Sequence, residues 1–459
     1  MRSMRTLEPR VNDLVKILRG TTHVDSVNTA GSSYETTRRI WNGAVTTQPG
    51  VVVQCADADD VRAALLAARE TGTPLTVRGG GHDWAGRALS DGGLTIDVSG
   101  LRRVTVDPVT KTADVSAGAI AADLAAATGP LDLIPVTGTA GSVGMVGLTL
   151  GGGYGPLSGR HGLALDNVLS ANVVLADGSV VTTDAEHEPD LFWALRGGGG
   201  NFGIVTSMRV RVHDVPTLLS GLLVFPWAQA ETVLEGLADI VSQASDDLTV
   251  QFGVLSGPDG APVVFASPTW SGDDAAEGEQ ALARISALGT PLVAQIGATT
   301  LPDMLAGIDA QFPAGQHVEI RTRSVPSLNA GVREALIQAG ATLTSPGSAV
   351  SVHSLHGAAQ RVPVLSTAFG NRDPHLMIEV IARWEPGNVR ATEHRAWADE
   401  VTHALEPEAM AGGYPNLLGP NEKAQIAHAY GPNAARLLTT KRRFDPDDVF
   451  HAIALPDPS

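Results

Sequence analysis

Cysteine is almost absent. The 459 residues contain one, Cys55, which excludes an internal disulfide framework and any paired-cysteine metal knuckle. Lysine is scarce, confined to Lys16, Lys111, Lys423 and Lys441, and aromatic residues make up 4%. No stretch approaches the roughly 18 uninterrupted apolar residues of a membrane span. The first twenty residues have no apolar core of signal-peptide length. There is no P-loop, no H-E-x-x-H helix and no G-x-S-x-G elbow, so NTPase and hydrolase readings lose most of their support. Positive charge is in deficit, 32 basic residues against 49 acidic, a net charge of −17. Such a surface repels phosphate backbones and anionic lipid, so neither nucleic acid nor a membrane is an expected partner. What is present, 43% hydrophobic and 18% charged residues, describes a folded, soluble, cytoplasmic protein. At roughly 150 residues per domain it has room for two or three.

Glycine is in excess, 51 residues, and unevenly placed. Runs at Gly79 to Gly81, Gly151 to Gly153 and Gly197 to Gly200 all precede Val215-Pro216, where the composition changes. The first half reads as α/β. Val51 to Val53 is a short strand, and Val61, Ala64, Leu65 and Ala68 give the next segment the apolar face of a helix that begins near Asp57 and stops at Gly72. Leu75 to Val77 is the following strand and leads directly into Arg78-Gly79-Gly80-Gly81-His82. Alternation at Thr112 to Ser116, and an Asp177-Gly178 turn between two valine pairs, predict antiparallel hairpins. Gly203 to Val212 is a further strand. From about Val215 to Gly412 strands (Val318 to Arg323, Leu376 to Trp384) mix with helices (Glu231 to Val241, Arg390 to Ala404), and a helix follows in the tail. His161, Trp270 and Trp384 read as structural.

Consecutive glycines let successive backbone N–H groups face one ligand, which cradles a pyrophosphate without lysines. One such run is equally a tight turn; three in one domain favour a dinucleotide. None stands in the G-x-G-x-x-G setting of a Rossmann unit. His82 closes the first run, and as a residue type it fits a surface turn, a hydrogen-bonding partner or a nucleophile.

These residues carry a resemblance. Val77-Arg78-Gly79-Gly80-Gly81-His82 resembles the flavin-attachment motif of the berberine-bridge-enzyme-like FAD-linked oxidases of the vanillyl-alcohol oxidase superfamily. Gly138 to Gly144, Gly151 to Gly155, and Gly162-Leu163 with Asp166-Asn167 resemble its second signature. Asp190 to Gly197 followed by Asn201 to Thr206 resemble the third, and Tyr414-Pro415-Asn416 with Phe444 to Phe450 the C-terminal end. The resemblance implies an α+β fold. A PCMH-type FAD-binding domain would occupy residues 1–213 (core about 47–213), and a substrate-binding domain 214–412 would carry an antiparallel sheet flanked by helices. Residues 413–459 would return to the FAD domain.

It also implies the cofactor, FAD, held by one covalent 8α-histidyl bond through His82. The position where many members attach the flavin a second time by cysteine is Ala140, and Cys55 lies in the early strand–helix unit as a small buried hydrophobe. Arg78, Gly79, Gly80, Gly81, Thr139, Ser142, Val143, Gly144, Gly147, Gly151, Gly152, Tyr154, Gly203, Ile204, Val205 and Asn416 are the further cofactor contacts implied. No metal is. Valine at position 143 goes in the family with O₂ reaching the flavin, so the expected reaction takes a hydride from an alcohol or amine C–H of a small metabolite and gives H₂O₂. A dehydrogenase with another electron acceptor, or a flavin-binding protein without turnover, is the alternative. Oligomeric state stays open.

The proton acceptor stays open too. Tyr154 aligns with a base used by some relatives beside a lysine, but residues 214–412 contain no lysine. His353, on the strand Val350 to Ser354, shares a face with Ser351 by alternation and has an imidazole suited to accept a proton near neutrality. Tyr414 and Asn416 are expected at the substrate or flavin edge, although Leu417 replaces the second tyrosine of the family's Y-x-N-Y.

Overall fold

The computed structural model describes residues 4–21, 26–214 and 218–457, so the Val215-Pro216 boundary lies outside the described residues. Three sheets organise the chain. In the first, Val51–Gln54 and Leu75–Arg78 flank Leu94–Asp97 in parallel, and Val27–Asn28 pairs antiparallel at the edge. The crossover helix Ala58–Thr71 is capped by the Asp57 carboxylate, which accepts from the Asp60 N–H, and ends where Gly72 turns left-handed at φ 63°. Its face of Val61, Ala64, Leu65 and Ala68 is buried, with Leu14 and Leu18 of the helix Met4–Thr21 in the same core. Cys55 is also there, 4% exposed, its thiol pushed upward in pKa by burial.

The second sheet is antiparallel. Its long strand Ile204–Asp214 lies between Thr112–Ser116 and Val168–Val174, with hairpin partners Val104–Asp107 and Val180–Thr183 outside them. The Asp177-Gly178 turn closes the second hairpin, with Gly178 at φ 83°.

Seven antiparallel strands make the third sheet, in the order Val293–Thr299, Leu218–Pro226, Pro262–Trp270, Leu248–Ser256, Ala349–Leu355, His375–Trp384, His317–Val325. Helices Ala230–Ser242, Ala275–Ser286, Ala330–Ala341 and Ala391–Ala404 cover one face, burying Leu234, Ile285, Leu336 and Trp397 with Val250, Val350, Val352, Ile378 and Val380 of the strands. Strand alternation sends the intervening residues, Gln251, Ser351, His353, Glu379 and Ile381, to the opposite face. That face looks toward the N-terminal half.

Three contacts clamp the halves together. Asn42 brackets the edge strand by donating to the Val318 carbonyl (2.8 Å) and accepting from its N–H (3.0 Å). Ser142 donates its hydroxyl to Asp309 on the helix Leu301–Gln311 (2.7 Å). Arg372 forms a buried two-bond pair with Asp166 (2.7 and 2.9 Å). The tail contributes two helices, Lys423–His428 and Ala434–Phe444, and packs back on the N-terminal half. Buried Lys441 donates to the carbonyls of Asn201 (3.1 Å) and Phe450 (2.7 Å). Asn201 in turn holds the Ala452 N–H (2.7 Å) and the Ile453 carbonyl (3.0 Å).

Candidate active site

Between the third sheet and the first two lies a cavity of about 1570 Å³. It is larger than the ~300–1,000 Å³ of ordinary small-molecule pockets. One wall is glycine. The loop Gly79–His82, leaving the first sheet, crosses the segment Val143–Gly147, which enters the helix Met145–Gly151, so closely that a Cβ on Gly80 would sit 2.4 Å from the Gly144 nitrogen. Gly81 turns at φ 69°, which favours glycine. The N–H groups of Gly80 and Gly81 donate to no protein acceptor among the described residues. Gly147 opens onto free space, where a Cβ would meet nothing within 4 Å. Crowded glycine backbone with unused donors beside an open volume is what a pyrophosphate requires, and the residues fit the dinucleotide. Gly203, Ile204 and Val205 line the same cavity near Phe450 to Ile453 of the tail.

His82 projects from the glycine loop with its ring stacked on Trp41 (centroids 4.5 Å, planes 18° apart). Burial holds its pKa down to about 4, against an opposing pull from the Asp309 carboxylate. The imidazole is therefore neutral at physiological pH, the form that has a nucleophilic lone pair.

Opposite the glycine wall, the third sheet presents a polar cluster. The Tyr154 hydroxyl donates to Oε1 of Glu379, a residue only 8% exposed. His353 Nε2 stands 3.6 Å from the same carboxylate oxygen and 3.1 Å from Ser351 Oγ, which also accepts from Gln251 (2.9 Å). Tyr154 packs edge-on against His353 (4.8 Å) and Tyr414 (5.2 Å). Burial raises the Tyr154 phenol well above its ordinary range, and the Glu379 charge raises it further. Burial likewise raises Tyr414, whose oxygen accepts the Gly153 N–H, and lowers His353. Asn416 donates to the carbonyls of Gly147 (3.3 Å) and Leu148 (3.1 Å), fixing the tail segment to the glycine wall.

The structure thus gathers His82, Gly79 to Gly81, Thr139, Val143, Gly144, Gly147, Tyr154, Gly203 to Val205, His353, Tyr414 and Asn416 around one cavity. Four other predicted contacts stand outside its lining. Arg78 turns to Asp97 in an ion pair (3.0 Å), and Ser142 is engaged by Asp309. Gly151 and Gly152 sit behind the wall, where a Cβ would strike the side chains of Asn416 (2.1 Å) and Tyr414 (2.3 Å). Their glycine is required by close packing of the tail. The hydrogen-bond partner of Tyr154, left open by the sequence, is a carboxylate, which opposes ionisation of the phenol. Sequence reasoning missed Glu379. Its signal was a lone acid inside the apolar run Leu376-Met377-Ile378-Glu379-Val380-Ile381, where a charge needs a reason.

Comparison with known proteins agrees with this geometry. A family model described as an FAD binding domain matches residues 49–184, and one described as berberine and berberine like matches 413–453. The FAD-linked oxidoreductase aurO of Gibberella zeae is 33% identical over 428 residues, spanning 92% of this chain and 83% of the relative. The (R)-6-hydroxynicotine oxidase of Paenarthrobacter nicotinovorans is 29% identical over 440 residues, 91% of this chain and 93% of the relative. The crystal structure of 6-hydroxy-D-nicotine oxidase from Arthrobacter nicotinovorans superposes with a TM-score of 0.86 at 27% identity, covering 94% of this chain and 98% of that one. With its glycine-walled dinucleotide cavity, α+β architecture and berberine-like tail, the chain belongs to the berberine-bridge-enzyme-like FAD-linked oxidoreductases.

Proposed function

We propose that the protein is an oxidase that removes a hydride from a C–H bond next to the oxygen or nitrogen of a small metabolite, with FAD joined covalently to His82 and O₂ as final acceptor. One observation carries this reading: a neutral, half-buried imidazole on the glycine wall shares a cavity with a buried carboxylate on the facing sheet, which accepts from the half-buried Tyr154 phenol. When bound, FAD supplies a two-electron acceptor that O₂ can regenerate. The chain supplies the rest. The Gly79–Gly81 loop and the Val143–Gly147 segment at the start of the helix Met145–Gly151 hold the pyrophosphate, and Gly203 to Val205 border the adenosine end. In the proposed organisation residues 1–213 and 413–459 form the FAD side, and 214–412 the substrate side.

Glu379 is the proton acceptor in this reading. Tyr154, its phenol raised in pKa, remains a donor that orients the carboxylate, so neither of the two candidates the sequence offered, Tyr154 or His353, is the first proton acceptor in this reading. His353 sits close enough to receive the proton from Glu379. Val143 lines the cavity and is small enough to leave O₂ a path, which supports oxidase over dehydrogenase chemistry.

The test is an absorbance spectrum of the purified protein followed by acid precipitation. Yellow colour in the pellet, released by His82→Ala, is expected, with O₂ consumption and peroxide on adding substrate. A colourless protein that takes up no added FAD refutes the reading.

A further inference from the structure

A covalent bond to an imidazole forms at a ring nitrogen, whose lone pair lies in the plane of the ring. His82 must therefore present an edge to the cavity and hold it still. Among the described residues no hydrogen bond ties its ring to another residue. What holds the ring is a contact on its face, the Trp41 indole, 4.5 Å away between centroids with the planes 18° apart. A partner on the face leaves both nitrogens uncovered, whereas a hydrogen bond to the ring would occupy one of them.

Trp41 is itself held at each of its polar groups. Its backbone N–H donates to the Gly81 carbonyl (2.8 Å), next to His82 in the glycine loop. Its indole Nε1 donates to the Phe312 carbonyl (3.1 Å), and its own carbonyl accepts the Gly315 N–H (2.9 Å). The Gly43 N–H donates to the Gln316 carbonyl (2.8 Å), and a Cβ on Gly43 would sit 2.1 Å from the Gly315 oxygen. With Asn42 on Val318, residues 41–43 are stitched to 312–318, the turn between the helix Leu301–Gln311 and the edge strand His317–Val325. Arg383 of the third sheet fixes that turn, donating to the Gln311 carbonyl (2.7 Å) with its guanidinium over the Phe312 ring (4.5 Å). The same helix reaches the other side of the glycine crossing, where Asp309, three positions before Phe312, accepts from the Ser142 N–H (3.2 Å) and hydroxyl.

We propose that Trp41 is the positioning residue for covalent attachment of the flavin: it aims an edge of the His82 ring at the cofactor, and does so only while residues 312–318 are docked on it. The inference rests on the reading of His82 as the attachment site and adds what aims it. In the attachment a bond forms between a His82 ring nitrogen and the flavin 8α carbon. The imidazole N–H and one C–H of the 8α methyl group break. Two protons and an electron pair end on O₂, so the balance is His–NH + CH₃–flavin + O₂ → His–N–CH₂–flavin + H₂O₂. The glycine wall can bind FAD before this seam closes, but the bond to His82 follows the docking of the third sheet.

The full chain, produced under riboflavin limitation, would be mixed with FAD in air and quenched in acid at intervals. Attached flavin is read as fluorescence that stays with the denatured protein. Reversible binding is read separately, from the early quenching of free FAD fluorescence. Trp41→Leu should slow attachment by about tenfold or more and leave FAD affinity within about threefold of wild type. Trp41→Phe keeps an aromatic face and loses only the bond to Phe312, so its attachment rate should stay within about threefold of wild type. Gly43→Ala keeps the indole but drives its segment off Gly315, and should slow attachment several-fold. Trp41→Leu attaching at the wild-type rate, or losing attachment and FAD affinity together, overturns the proposal. So does Trp41→Phe as slow as Trp41→Leu. If Trp41→Leu does not fold, Gly43→Ala decides, and attachment at the wild-type rate there overturns it. A wild type that binds FAD and attaches no more than His82→Ala sinks the reading of His82 itself; a wild type that attaches, with Trp41→Leu equally fast, sinks only the role of Trp41.

Discussion

Tyr154, on the loop after the second glycine run, donates its hydroxyl hydrogen bond to Glu379, on the third sheet, so a phenol from one half of the molecule orients a carboxylate from the other. Removing the carboxylate should therefore separate chemistry from folding. Glu379→Gln keeps size and an acceptor oxygen but cannot take a proton. The rate of anaerobic flavin reduction should fall by about 10²- to 10⁴-fold, the usual contribution of a positioned base. The visible spectrum should stay that of a loaded flavoprotein. A rate within threefold of wild type would remove Glu379 from the chemistry.

Tyr154→Phe deletes only the donated bond. A hydrogen bond to a charged group contributes about 1.5–3 kcal/mol, so reduction should slow by about ten- to hundredfold. In the Glu379→Gln background the same change should add much less, because the two groups act as one unit. Stopped-flow rates of the single and double variants give the comparison; full additivity would mean that the pair is not coupled.

Val143→Leu tests the acceptor side. The larger side chain should slow reoxidation by O₂ by tenfold or more while anaerobic reduction stays near wild type. Equal slowing of both half-reactions would show that position 143 shapes the substrate or cofactor seat.

Arg372 and Asp166 are 4% and 7% exposed at their side chains, and they join the segment before the strand His375–Trp384 to the turn after Gly162. Arg372→Ala leaves a buried carboxylate without its cation, a loss of about 3–5 kcal/mol. The urea midpoint of the holoprotein should drop sharply. An unchanged midpoint would mean water reaches Asp166 and replaces the guanidinium.

His161 and His213 stack at 3.8 Å, and burial is the main reason their pKa values fall to about 3 and about 4. In the unfolded chain each protonates near pH 6.5. Between those values the unfolded state binds protons that the folded state refuses, so stability rises with pH. The contribution is complete above about 6.5 and is lost as pH falls toward 4 and 3. Melting temperatures at pH 7.5 and 4.5 should differ more for wild type than for His213→Gln; identical acid sensitivity would assign the slope to other groups.

Much of this was legible in order along the chain. The Ala58–Thr71 helix, the Gly79–His82 loop and the two hairpins follow from periodicity and turn chemistry that act locally. The third sheet was legible only in pieces. Leu218–Pro226 and Pro262–Trp270 are buried on both faces, one under helices and one in the cavity wall, so neither shows a clean alternation. Ser351 and His353 were placed correctly on one face because valines separate them. Glu379 escaped because its role depends on Tyr154, 225 positions away, and no local pattern encodes that meeting. Gly151 and Gly152 looked like ligand contacts for the converse reason: what presses on them is the chain's own Tyr414 and Asn416.

The tail's return, through Lys441 and Asn201, has a consequence for how the protein matures. One edge of the cavity is bordered by Gly203 to Val205 from the middle of the chain and by Phe450 to Ile453 from the tail. On a ribosome the former emerge some 250 residues before the latter. A chain synthesised only as far as the third sheet thus carries the glycine wall without the tail segment that borders its cavity, and a complete pocket must wait until Phe450 to Ile453 have emerged.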